Sequence, residues 1–399
     1  MTHNKRPLRI AVPLGGGVGW IGGVIYVRNL IYCLAALPPE ERPTVKIVGA
    51  LNADEHLLRE MMQLSFVEAF SPYIWARRNK AVRWGLSKIE QVLTRIFGAG
   101  ASPELWGADV VYPAMRATGG PQRLLYWIPD FQHLRLPAMF SAEERDTRSA
   151  GYQRIADSDG TLVLSSLDAL KDFNEFFPGA KVKTQVWNFC TVLTDNEAGG
   201  QNPHDAYGLP EKYLYVANQF WAHKDHMTAF EALAALKARG IEIALVCTGA
   251  EHDYRNRDHM AKLKAVIAEH GLEDQVHFLG LVARNDQIEI FRHAAGVLQP
   301  SLFEGWSTVV EDTRAIGRPI VLSDIGVHVE QAPPHSRYFK AGDAEDLANV
   351  LAEWWPGLKA GPDAAAEDEA ATQGQLRQQR TGREFIKIVS SSLLSASER

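Results

Sequence analysis

Two carboxylates, a lysine and the start of a helix are the residues in this sequence best suited to chemistry. In "VLQPSLFEGWSTVVEDTRAIGRPIVLSD", residues 297–324, a strand-like run ends in a loop holding Glu304, and a helical pattern then leads to Gly317, a suitable helix stop. At about 100° per residue, Trp306, Val309, Val310, Thr313 and Ile316 form one stripe. Asp312 falls about 100° from the stripe centre and Glu311 about 160° away, so the spacing predicts Asp312 beside a cleft and Glu311 in solvent. Backbone N–H groups of the first helical turn, near Trp306, Ser307 and Thr308, make an anion site. Acids that accept sugar hydroxyls, next to a helix start that attracts phosphate, suit a sugar carried on a diphosphate. The competing reading makes Glu304 a first-turn acid favoured by the helix dipole and Asp312 a solvated surface residue.

The elements that must hold these residues follow from hydrophobic periodicity. "LRIAVPL", "TVKIVGAL", "ADVVYPA", "RLLYWIP" and "GTLVLSS" read as strands separated by helical or loop segments. A polar, turn-rich stretch at 195–208 reads as an interdomain linker. Beyond it "YLYVANQ", "EIALVCTG", "QVHFLG", "GVLQPS" and "PIVLSD" give five strands with four helices between them. The alternation predicts an α/β chain of two doubly wound, Rossmann-like domains facing each other across a cleft: residues 1–200, residues 201–365, and a closing helix and tail at 377–399. Residues 357–372, low in bulky apolar side chains, read as loose.

Length and composition narrow the function classes. The 399 residues are 46% hydrophobic and 23% charged, as in soluble globular chains, and the net charge of -6 argues against nucleic acid as a partner. Three dispersed cysteines signal neither a disulfide framework nor a zinc site, and no apolar run is long enough for a membrane span. These features point to the cytoplasm.

The 297–324 segment resembles the family 4 retaining nucleotide-sugar glycosyltransferases, whose second half carries Pro-Ser, a Glu-Gly-aromatic loop and a second acid eight residues beyond the first. The matching residues are Pro300, Ser301, Glu304, Gly305 and Trp306, followed by Gly317, Arg318 and Pro319. The resemblance implies a GT-B fold, with Glu304 near the donor sugar, the first-turn amides on the diphosphate, and Asp312 or its neighbour Glu311 on the ribose. "YGLPEKYLYVANQFWAHKDHMTAFEAL", residues 207–233, is similar to the family's diphosphate clamp; Lys224 fills the lysine position, while Gln219 stands where an arginine is usual. Gly280, in "VHFLGLV", corresponds to the turn that holds the base.

In the first half, Gly17, Gly19 and Gly22 have the spacing of a dinucleotide-binding loop, which alone would suit a nicotinamide oxidoreductase, but no acid ends the following strand. The resemblance uses Gly22 and Gly23 instead, placing the helix start near donor phosphates and acceptor. In "LYWIPDFQHLRLPAMF" the family's His-Asp pair is replaced by Pro129-Asp130, with His133 three residues on, so the resemblance implies either that the usual histidine has moved or that Asp130 and His133 share its role near the transferred sugar; the alternative is a capping Asp130 and a surface His133. Ser165 or Ser166 would line the cleft.

Residues 71–98 match nothing in the family. Val82, Leu86, Ile89, Val92, Leu93 and Ile96 recur at helix spacing among Arg77, Arg78, Lys80, Arg83, Lys88 and Arg95, with Glu90 as the single acid. Such a helix either buries its stripe in a core or rests on an anionic membrane at its inner face, or holds a lipid diphosphate. The expected activity is transfer of a mannose- or rhamnose-like hexose from a nucleoside diphosphate sugar, without metal or cofactor, to a saccharide or lipid-linked saccharide of a surface polysaccharide. A nucleotide-sugar-binding module without activity is the other alternative.

Overall fold

The computed structural model describes residues 6–14, 21–49, 54–77, 79–97, 105–115, 123–194, 197 and 199–397. They form two compact units: Met1–Phe131 with Asp146–Cys190 and Gln375–Arg399, and Gln132–Arg145 with Thr191–Gly374. The division falls after Cys190 rather than at residue 200. The segment containing His133 belongs with the second unit and the C-terminal stretch with the first.

The first unit holds β1 (Arg9–Pro13), β2 (Thr44–Val48), β3 (Val67–Ala69), β4 (Val110–Ala114), β5 (Arg123–Ile128), β6 (Thr161–Leu164) and β7 (Lys183–Val186). All are parallel, in the order β3-β2-β1-β4-β5-β6-β7. Central strands such as β4 and β6 are buried throughout, as expected where helices cover both faces of a parallel sheet. The edge strand β7 alternates exposed and half-buried residues.

The second unit holds β8 (Tyr213–Val216), β9 (Ala244–Cys247), β10 (Val276–Phe278), β11 (Gly296–Gln299), β12 (Ile320–Ser323) and β13 (Ser336–Phe339). The order is β10-β9-β8-β11-β12-β13, again all parallel. Leu214, Leu245, Leu298 and Val321 pack against one helical layer, and Tyr213, Tyr215, Val297 and Ile320 against the other. Strand order reverses between β8 and β11, so their carboxyl-terminal loops diverge and leave a crevice, the usual ligand position in such sheets.

Two expectations need correction. The stretch read as loose is helical from Ala364, within one helix running Ala364–Ser397. Part of the linker is also helical, Pro203–Tyr207, capped by the Asn202 side chain on the His204 N–H at 2.9 Å and ended by Gly208 at φ +63°. Among the described residues no helix is long and apolar enough to cross a membrane.

Candidate active site

The crevice at the β8/β11 switch point brings Lys224 and Glu304 together across 80 residues of sequence. Lys224 follows β8 in a short 3-10 turn, Ala222–Lys224; Glu304 follows β11. Lys224 Nζ donates to Glu304 Oε1 at 2.6 Å, with 17% and 9% of the two side chains exposed. The same oxygen accepts from Gln299 Nε2 at 2.9 Å and Ser301 Oγ at 2.7 Å. Gln299 in turn accepts from Asn218 Nδ2 at 2.7 Å, so both strand ends feed one network. Burial would raise the Glu304 pKa, but Lys224, His328 and the hydrogen bonds outweigh it and hold the carboxyl below its ordinary range.

The Lys224 loop is held rigidly. Its neighbour His223 accepts the Leu302 N–H at its carbonyl, joining the two loops at 2.8 Å. Asp225 takes a left-handed φ of +53° and caps the next helix, accepting from Thr228 Oγ1 at 2.6 Å. Asp253 accepts the Ala222 N–H at 3.1 Å, and Arg255 lies over the rings of Trp221 and Phe140 at 5.0 and 4.9 Å. Half-buried Gln219 backs onto Gly249, where φ is +129° and a Cβ would sit 2.3 Å from the Asn218 carbonyl oxygen. Only glycine fits there.

The helix Thr308–Ile316 corrects several expectations. Ser307 is its N-cap, accepting the Val310 N–H at 3.4 Å, and Gly317 ends it at φ +74°. The Ser307 N–H is taken by Gln331 Oε1 at 3.2 Å, so the anion site expected from Trp306, Ser307 and Thr308 loses that amide. Glu311, expected in solvent, is 1% exposed and accepts from Gln331 Nε2 at 3.0 Å. Asp312, expected beside a cleft, is 6% exposed; Arg284 grips it through its two terminal guanidinium nitrogens at 2.7 and 2.8 Å, and Thr191 Oγ1 donates at 2.8 Å. Arg284 also binds Glu197 at 3.0 Å. These two carboxylates offset the burial of Arg284 and raise its pKa. The wheel assumed one buried face, whereas this helix has partners on both sides.

Gln331 and Arg284 gave no signal in the sequence. Nor did His328, which is fully buried behind Glu304. Its Nδ1 lies 3.0 Å from the Ser323 carbonyl oxygen and its Nε2 has no hydrogen-bond partner among the described residues. Ser323 Oγ donates to the Ser301 carbonyl at 2.5 Å, which links His328 to the Glu304 loop. Burial pushes the His328 pKa down to about 4.

Gly280 adopts φ +64° after β10, and its carbonyl accepts the Gly249 N–H at 2.8 Å. Gly22 is exposed and Gly23 buried at the start of the helix Ile21–Ala35, with nothing within 4 Å of a Cβ built on Gly22. Gly17 and Gly19 lie outside the described residues. Half-buried Asp130 follows β5 in the first unit; His133 belongs to the second and is wholly buried, edge-on to Phe140, which removes the surface reading. Ser165 and Ser166 are buried too: Ser165 Oγ accepts from Trp127 Nε1 at 3.1 Å, and Ser166 caps the helix Leu167–Phe176.

Residues 203–357 match the family model described as "Glycosyl transferases group 1". No curated protein matches the sequence. Among solved structures, the chain is similar to HepE of Anabaena in complex with UDP and glucose: 17% identity, 96% of this chain, 100% of that one, TM-score 0.61. It is similar to sucrose-phosphate synthase of Thermosynechococcus elongatus at 16% identity over 98% and 100% of the two chains, TM-score 0.63. It is also similar to WaaG, a glycosyltransferase involved in lipopolysaccharide biosynthesis, at 13% identity over 94% and 95%, TM-score 0.55. The seven- and six-stranded parallel sheets and these neighbours make the fold GT-B, and with a group 1 glycosyl transferase domain at residues 203–357 the chain is a glycosyltransferase.

Proposed function

We propose that the chain is a retaining, metal-independent hexosyltransferase that takes a mannose- or rhamnose-like sugar from a nucleoside diphosphate and passes it to a saccharide or lipid-linked saccharide of a surface polysaccharide. The observation that carries this reading is the half-buried Lys224–Glu304 pair at the β8/β11 switch point. An ammonium has three donors, and the Glu304 bond uses one. The others suit the oxygens of a diphosphate, where Lys224 neutralises charge as the bond between sugar and phosphate breaks. Glu304 accepts from hydroxyls of the donor sugar. The acceptor hydroxyl attacks on the face the diphosphate leaves and passes its proton to that leaving group, so no protein nucleophile is needed.

With the Arg284 fork on Asp312, the ribose falls to Glu311 and the remaining lone pair of Asp312 together. Gln219 supplies a neutral donor where a cation is usual, so Lys224 carries more of the charge stabilisation. That HepE of Anabaena was crystallised with UDP supports a uridine donor. A thermal-shift panel of UDP-, GDP- and dTDP-hexoses tests this, because a ligand at about 100 times its Kd stabilises the native form by about 2.7 kcal/mol. A UDP-hexose shift with nucleotide release on adding acceptor is expected. Tight binding with no release under any acceptor would leave a binding module, and no shift with any sugar nucleotide would end the proposal.

A further inference from the structure

The helical pair Ser71–Ala76 and Lys80–Phe97, in the first unit, has an inner and an outer face of different character. Inside, Val82, Leu86 and Phe70 pack on Tyr73 and Ala76. Outside, four large apolar side chains stand in solvent: Trp75 is 66% exposed, Trp84 67%, Ile89 57% and Val92 53%. The stripe read from the sequence is therefore only partly core. Positions 80, 84, 88 and 92 lie one turn apart along one line of the longer helix, and they read Lys, Trp, Lys, Val. Lys80 and Lys88 are exposed, and Arg77 and Arg83 flank them half-buried. In a chain of net charge -6, residues 71–92 contain five basic residues and one acid, Glu90.

Exposed aromatic and aliphatic side chains interleaved with charges of one sign mark an interaction site. Here the sign selects the partner. Indole rings favour the headgroup level of a bilayer, aliphatic side chains reach the acyl boundary, and lysines meet lipid phosphates. We propose that this helical pair docks on an anionic lipid bilayer, with Trp75, Trp84, Ile89 and Val92 at the acyl boundary and Lys80 and Lys88 on the headgroups. The inference goes beyond the reaction proposed above and does not rest on it, because vesicle binding needs neither donor nor turnover.

Flotation with vesicles of phosphatidylcholine alone, and of phosphatidylcholine with about a third phosphatidylglycerol, tests it on the full chain. Binding to the anionic vesicles that weakens between 0.1 and 0.5 M salt is expected. At roughly fivefold per surface lysine, Lys80→Gln with Lys88→Gln should weaken partitioning about 25-fold. Trp75→Ser with Trp84→Ser should abolish flotation while the circular-dichroism melt stays unchanged, since both rings are exposed. No binding, equal binding to neutral vesicles, or binding indifferent to both double variants would overturn the proposal. So would a tryptophan pair that changes oligomeric state but not flotation, which would make the face a protein contact.

Discussion

Replacing Lys224 by alanine tests the site most directly. The ion pair spans 2.6 Å, with side chains 17% and 9% exposed. An effective dielectric of about 20 suits that burial, so two unit charges roughly 4 Å apart attract by about 4 kcal/mol. The same ammonium facing a leaving diphosphate operates on the same scale, and loss of one preorganised donor typically costs roughly 100- to 1,000-fold in turnover. Lys224→Ala also leaves Glu304 buried without its cation. Gln299 and Ser301 still donate to it, so the cost should lie near the lower end of the 3–5 kcal/mol seen when one partner of a buried pair is removed. Adding Glu304→Gln removes the stranded charge and should recover part of the stability without recovering activity. Initial rates of nucleotide release and chemical denaturation of both variants separate the two effects. If Lys224→Ala kept turnover within about threefold of the parent, the assignment of the leaving-group role would be wrong.

Gln219→Arg should tighten donor binding about tenfold or more by adding a charge-assisted hydrogen bond, as measured by titration with the donor nucleotide; unchanged affinity would show that the diphosphate lies elsewhere. Asp312→Asn should lower melting temperature as well as donor affinity, because it weakens the grip of Arg284, whereas a residue that only binds ribose would change affinity alone. Acid should destabilise the chain through His328. The folded pKa near 4 lies below the ordinary 6.5, so the unfolded chain takes up the proton first, stability is full above about pH 6.5, and about 3 kcal/mol is lost as pH falls to 4. His328→Gln should flatten that slope in denaturation curves, while the contribution of Glu304, whose folded pKa is lowered, disappears only below its ordinary range.

The alternation of strands and helices was legible because central parallel strands, buried on both faces, are continuous apolar runs. The strands that escaped were β3, β7 and β13, and all three are sheet edges. "KTQV" shows why: a strand with one neighbour can keep polar side chains in solvent. The start of the last helix was missed for a related reason. Residues 364–371 are alanines and acids, strong in helix propensity but weak in apolar signal. Lys224 and Glu304 were singled out in the sequence because their loops carry local patterns that resemble the family's. Arg284, Gln331 and His328 were not, because what defines each is a partner far away in the chain.

The helix Ala364–Ser397 has a consequence for how the protein comes to be. Trp187 donates to the Thr381 carbonyl at 2.9 Å, Phe385 lies between Tyr112 and Trp187, and a Cβ on Gly382 would strike the Cys33 carbonyl. Phe385, Ile388 and Val389 thus complete an interior begun more than 300 residues earlier. As the polypeptide leaves the ribosome, its opening half must wait, unfinished, until the stretch after residue 374 has been translated. Cutting the gene at the apparent boundary would yield a fragment with a hole where those side chains belong.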